Sequence, residues 1–257
     1  MKSAFVPREI TTQHGRLIIF PDARSAGEGL AQRMARYVAG ITSGRGRFTL
    51  ALGAADPSSQ LFLDPLARAT STSTIPWESI IIALTHDWCV PESAEFSGIG
   101  RLKQHLLQHL SRQPSAVLLP RWKPGADPEE AAATMETLLE REVLLTIDGK
   151  PHFDLAVLSL ETAGRIAGVT LDSEAFHERN CMTAADWYGP DMLPGISLTL
   201  ASLNAISEVW LLATGEERAP ALADILRGNP TIPARHIRPS GGIPTWFVDE
   251  AAASIYL

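Results

Sequence analysis

Apolar residues in this chain gather in short, nearly continuous runs. The runs are Leu17–Phe20, Phe48–Leu52, Ile80–Leu84, Ala116–Leu119, Leu155–Leu160, Ile196–Leu200 and Val209–Ala213. An unbroken apolar run of strand length is what a strand needs when both of its faces are covered, as in a parallel sheet. Between the runs the spacing changes to that of helices. Ser25–Val38 places Ala26, Leu30, Met34 and Val38 on one face, and Gly98–Leu110 does the same with Ile99, Leu102, Leu106 and Leu110. Asp127–Leu145 opens on Asp-Pro-Glu-Glu, a cap, a first-turn proline and two acids suited to the positive end of a helix. Ser25-Ala26-Gly27-Glu28 reads as a capping box, and a last helix starts near Asp249. Gly40–Arg47 and Pro120–Pro128 read as loops.

Strand–helix alternation along the whole chain predicts an α/β fold of three layers, a mostly parallel sheet with helices on both faces. With no internal repeat or low-complexity linker, residues 1–257 read as a single domain. In such a sheet, ligands bind beyond the carboxyl ends of the strands. That directs attention to Gly53–Ser58, Thr85–Pro91, Ser159–Thr170 and Thr214–Arg218.

Composition narrows the class. With 45% apolar and 20% charged residues, the chain can bury a core without staples. A formal net charge of −7 leaves no basic excess to displace phosphate counterions, so nucleic acid is not an expected partner. Cys89 and Cys181 stand far apart, without ligand spacing, and read as free thiols rather than a metal site. The start MKSAFVPREITTQHG has no signal-like apolar run, and no stretch reaches membrane-spanning length, so a cytoplasmic protein is expected. GxSxG, Walker, GxGxxG and HExxH motifs are absent, and no cofactor is implied.

The segments ISLTLASLNAISEVWLLATGEERAPAL and LRGNPTIPARHIRPSGGIPTWFVDEAAA resemble the C-terminal part of 6-phosphogluconolactonases. FTLALGAADPSSQLF, IPWESIIIALTHDWCVP and FDLAVLSLETAGRIAGVTL resemble that family's SGGSTP, GDER and DGHTAS regions. The likeness runs from about Leu17 to Ala253, leaving residues 1–16 as an N-terminal extension of open role. It implies the Rossmann-like fold shared with glucosamine-6-phosphate deaminases and ribose-5-phosphate isomerases. It also implies hydrolysis of a sugar-phosphate lactone in the pentose phosphate pathway, by a monomer or small homo-oligomer that acts on a small molecule. Trp77, Trp210 and Trp246 fall on the family's packing positions.

The likeness fails where the family does its chemistry. The DGHTAS histidine, the family's general base, is Arg165 here, and the aspartate is Ala163. Arginine stays protonated and only donates, so it cannot take a proton from water. Arg165 reads either as a surface cation at a helix start or as a holder of an anionic ligand. GDER reads Thr85-His86-Asp87-Trp88. A histidine and an arginine have thus each been lost at one motif and gained at the other. One reading is a relocated base: His86 activates water, Asp87 fixes its tautomer, and Arg165 stabilises the oxyanion. The plainer reading is that His86 is a buried polar residue with a backbone partner. Trp88 either fills the crevice or stacks on a sugar.

The phosphate loop has become Gly53-Ala54-Ala55-Asp56-Pro57-Ser58. Asp56 and Pro57 suit a helix start, and a phosphate dianion about 5 Å from Asp56 meets several kcal/mol of repulsion at an effective dielectric of roughly 20. Ser58 remains as a partner for a neutral hydroxyl. Arg218, in place of the family's phosphate lysine, is the remaining cationic candidate, with Glu216 and Glu217 beside it as competing partners. Ser159, which follows a strand, and Arg238, which precedes a proline as in the family's tail, are further candidate substrate contacts, with a structural role as the alternative for Arg238. Three functions remain open: a sugar-phosphate lactonase with a rearranged, weakened site; a lactonase for another sugar lactone; or a homologue that binds sugar or sugar phosphate without turnover.

Overall fold

The computed structural model describes residues 6–69, 75–188 and 193–257. Its elements begin with β1 (Arg8–Thr12), β2 (Gly15–Phe20), α1 (Ala23–Arg45), β3 (Phe48–Leu52), α2 (Gln60–Ala69), β4 (Ile80–Leu84) and β5 (His86–Trp88). Then come α3 (Gly98–His105), β6 (Ala116–Leu118), α4 (Pro128–Glu142), β7 (Leu155–Ser159), α5 (Glu174–His177) and β8 (Thr183–Tyr188). The chain closes with β9 (Leu193–Leu198), α6 (Leu200–Asn204), β10 (Glu208–Ala213), α7 (Ala219–Arg227), β11 (Thr245–Asp249) and α8 (Glu250–Ala253).

Eight strands among the described residues form the main sheet in the order β1-β2-β11-β10-β7-β3-β4-β6. All neighbours in it are parallel except the β1–β2 pair. Every residue of β3, β4, β7 and β11 is buried, which is why these segments read as unbroken apolar runs. Successive residues serve opposite cores. Leu50, Leu52, Leu155 and Val157 pack under α1, α2 and α3. Ala51, Ala156 and Leu158 pack under α4, α6, α7 and α8. Trp77, Trp210 and Trp246 are buried in these two cores.

Several details depart from the sequence reading. Ile196–Leu200 is not a strand of the main sheet. Most of it belongs to β9, in a separate antiparallel sheet of order β5-β9-β8 that folds over the carboxyl end of β4, and Leu200 opens α6. The first helix is capped by Asp22, whose carboxylate accepts the Ser25 N–H at 2.7 Å, so Ser25 lies inside the first turn and caps nothing. Gly40–Arg47 is not a loop up to its last residues. The helix runs to Arg45 and stops at Gly46, which takes the left-handed conformation at φ 69°. Thr42, buried and bonded back to Val38 O, carries the helix past its glycines. The stretch before Leu17 gains a role, since Arg8–Thr12 forms an edge strand on β2. No helix among the described residues is long and apolar enough to cross a membrane.

Asp154, at the amino end of β7, ties that strand to its neighbour. Its carboxylate accepts the Thr49 N–H at 2.8 Å and the Thr49 hydroxyl at 2.9 Å, and also pairs with Arg45. Asp154→Ala strands the buried Thr49 amide. The expected loss is about 2–3 kcal/mol, or roughly 5–10 °C in Tm by thermal unfolding. An unchanged Tm contradicts that role.

Candidate active site

The carboxyl ends of β3, β4 and β7 meet under a tight loop that follows Ser159. Within it Glu161 N–H donates to Arg165 O at 3.1 Å and Gly164 N–H to Glu161 O at 2.9 Å. Gly164 and Gly168 both sit at φ 76°, and Ala167, at φ 52°, is the one non-glycine in the left-handed region among the described residues. A Cβ on Gly168 would lie 2.4 Å from His86 Nδ1 and 2.5 Å from Ser197 Oγ. The loop therefore rests directly on His86, and only glycine allows the approach.

His86 is buried at 4% exposure, and its Nδ1 lies 2.9 Å from Ser197 Oγ. Burial first, and the charge of Arg165 second, push its pKa down to about 3, against a backbone bond at Ile196 that favours the charged form. It is a neutral imidazole throughout the ordinary pH range. Trp88 stands edge-on to it with ring centroids 4.8 Å apart. The indole is half-buried and packs against the histidine.

Asp87 does not orient His86. Neighbouring residues of a strand point to opposite faces. Its carboxylate instead accepts N–H groups of Trp88 at 2.8 Å, Gly98 at 2.6 Å and Ile99 at 3.0 Å, at the start of α3. Burial raises its pKa to about 6 in spite of those donors. The residue that fixes the imidazole is Ser197 of β9, which the sequence reading passed over. Its only signal is a hydroxyl standing within an apolar strand.

The cations are held within the chain. Arg165 Nε donates to Glu161 at 2.9 Å. Glu161, largely buried, has its pKa raised by that burial, with Arg165 pulling the other way. Arg218 donates through Nε to Leu160 O at 2.6 Å and through a terminal nitrogen to Thr214 O at 3.0 Å. It also pairs with Glu217, and lies 3.8 Å from Asp56. Asp56 caps the turn at Pro57–Ser59, accepting the Ser58 N–H at 2.8 Å as well as the Ser58 hydroxyl. Ser58 has therefore spent its proton on Asp56, and its oxygen is left to accept from a ligand hydroxyl. Arg238 is not part of the site. Its N–H bonds Asn204 at 2.7 Å and its guanidinium Ile237 O at 2.7 Å, beside the connection that enters β10. That is the amino end of the strands, opposite the crevice.

Ser159 does reach the site. It is buried, and its Oγ has no hydrogen-bond partner among the described residues. Ser159, His86, Glu161, Asp56 and Gly168 share the lining of a cavity of about 20 Å³. That space suits one water molecule, which needs roughly 10–15 Å³. It is far below the several hundred Å³ usual for a small-molecule pocket. The arrangement supplies a neutral base, a hydroxyl and water-sized room, and two acids of its lining, Glu161 and Asp56, are paired with Arg165 and Arg218.

Residues 21–246 match the family model described as glucosamine-6-phosphate isomerases/6-phosphogluconolactonase. The 6-phosphogluconolactonase of Rattus norvegicus is 30% identical over 244 residues, 94% of this chain and 93% of that protein. That of Homo sapiens is 31% identical over 249 residues, with the same two coverages. Among solved structures, 6-phosphogluconolactonase from Trypanosoma brucei superposes with a TM-score of 0.82 at 16% identity, over 96% of this chain and all of that one. The Thermotoga maritima enzyme gives 0.77 at 20% identity, covering 91% and 98%. At those identities the structures speak for the fold.

The neutral state of His86 has a pH consequence. Its folded pKa lies below the ordinary 6.5, so its contribution to stability is complete above that value and is lost as pH falls from 6.5 toward 3. At pH 5 the loss is about 2 kcal/mol, at about 1.4 kcal/mol per unit. Asp87, raised to about 6, acts in the opposite direction but equally in a His86 variant. Urea unfolding at pH 7 and pH 5 is therefore expected to show a larger acid loss for the native chain than for His86→Gln. Equal losses contradict the neutral, buried imidazole. Separately, Gly168→Ala, which drives a methyl into His86, is expected to lower stability by about 2 kcal/mol or more. A neutral effect in thermal unfolding refutes the close contact.

Proposed function

Since the chain belongs to the glucosamine-6-phosphate isomerase/6-phosphogluconolactonase family, we propose that it hydrolyses a sugar lactone of the 6-phosphogluconolactone kind through a rebuilt site, at a rate well below that of a site with a better-matched base. The relatives named 6-phosphogluconolactonase at 30–31% identity support the reaction class. The observation that carries the assignment of roles is the neutral imidazole of His86 beside a cavity of one-water size.

In this reading, water in that cavity attacks the lactone carbonyl and gives its proton to His86. The oxyanion forms on the side of Arg165. As the tetrahedral intermediate collapses, the bond from the carbonyl carbon to the ring oxygen breaks, and that oxygen takes the proton back from His86 as the acid is released. Ser197 keeps the ring in place. General-base efficiency peaks when the pKa lies near the working pH, and a base near 3 is a poor acceptor at neutrality. Slow turnover follows from the same burial that orders the ring. The free thiols Cys89 and Cys181 fit a reducing, cytoplasmic compartment, with a small molecule as the partner.

One observation favours a second reading, a homologue that binds without turnover. Asp56 and Arg218, which stand where the family resemblance puts the phosphate loop and the phosphate lysine, face each other at 3.8 Å, and Arg218 is bonded to two carbonyls. Stopped-flow hydrolysis of 6-phosphogluconolactone against a buffer blank separates the two. The lactonase reading expects a saturable rate above the blank that falls by about 10²–10⁴ in His86→Gln. A rate equal to the blank, with ligand-dependent thermal stabilisation, supports the binding reading instead. A rate that His86→Gln leaves intact removes His86 as the base.

A further inference from the structure

A second polar cavity, of about 380 Å³, opens at the amino end of the strands, far from the crevice. One wall is a lateral row across adjacent strands. Trp210 of β10 stands in register with Thr245 of β11, which stands in register with Arg16 of β2. The facing wall is α1, which contributes Arg33, Arg36 and Tyr37. Arg33 and Arg36 are three apart and share a helix face. The Arg33 guanidinium lies 5.6 Å from the centre of the Trp210 ring, a cation–π contact that holds it over the cavity floor.

None of the ion pairs among the described residues uses Arg16, Arg33 or Arg36. In a chain of net charge −7, three arginines outside the ion pairs line this one cavity, and Arg33 and Arg36 also border the adjoining cavity that holds Glu9 and Glu28. Glu208 is the one acid in the lining, and it accepts the Trp210 indole N–H at 3.4 Å. Tyr37 and Thr245 add hydroxyls. The cavity therefore offers many donors, a net positive charge and the volume of a small metabolite.

We propose that this cavity, between α1 and the row Trp210-Thr245-Arg16, is a binding site for a small polyanion carrying adjacent phosphate or carboxylate groups. Arg33 and Arg36 grip it from the helix and Arg16 from the sheet. The site does not depend on the lactonase reading, because it lies at the other end of the strands.

The test is isothermal titration calorimetry of the full chain with pyrophosphate, ATP and citrate as probes and orthophosphate as a single-group control. The expected result is saturable binding of at least one polyanion, tighter than orthophosphate and weakened in 0.5 M salt. Arg33→Gln/Arg36→Gln, both at positions at least partly open to solvent, is expected to weaken it by about tenfold or more. Arg165→Gln is expected to leave it unchanged. Preference for pyrophosphate and ATP assigns the ligand to phosphates, and preference for citrate assigns it to polycarboxylates. Absence of saturable binding by all three probes overturns the proposal. So does binding that is lost in Arg165→Gln and kept in the α1 double variant, which places the anion in the crevice.

Discussion

The close approach of the loop after β7 to His86 is the contact on which the rest of the crevice depends. Gly168 lies where a side chain would strike the imidazole and the Ser197 hydroxyl. That approach buries the ring, and burial keeps it neutral. It also leaves room for no more than about one water between Ser159, Glu161 and the imidazole. One packing constraint thus fixes the protonation state, the volume and the water access of the site together.

The charges above this contact are arranged to satisfy one another. Arg165 answers Glu161, and Arg218 answers Asp56 and Glu217 while fastening the carbonyls of Leu160 and Thr214. A site built to receive a phosphate leaves donors open for it. Here the helix start is already taken by the Asp56 carboxylate, which binds Ser58 through both its N–H and its hydroxyl. Arg16, Arg33 and Arg36, which enter none of the ion pairs among the described residues, lie elsewhere, around the cavity at the amino end of the strands.

Much of the frame was legible in the sequence. The unbroken runs at 48–52, 80–84 and 155–159 are strands buried on both faces, and three of the tryptophans placed in the core by family likeness are there. The edge strand Arg8–Thr12 was not legible, because a half-exposed strand of mixed polarity leaves no apolar run. The place of β5 in the small sheet was not legible because its pairing with β9 joins residues more than a hundred positions apart. At the site, the presence of His86, Ser159 and Arg165 near one another could be read from motif position. Their partners could not. Asp87 turned to α3 because alternation along a strand sends adjacent side chains apart, and the role of Ser197 depends on a long-range pairing that no local pattern reports. Glu161 had a faint signal, an acid four residues before Arg165.

His86 is thus a neutral imidazole sealed under Gly168 and fixed by Ser197. The most direct measurement is a nitrogen-15 and proton NMR titration of its ring, assigned by comparison with His86→Gln. A ring sealed in this way is expected to give signals of a single neutral tautomer that do not move between pH 8 and about pH 5, because burial lowers its pKa to about 3. A ring that titrates near 6.5, or that averages between tautomers, contradicts it.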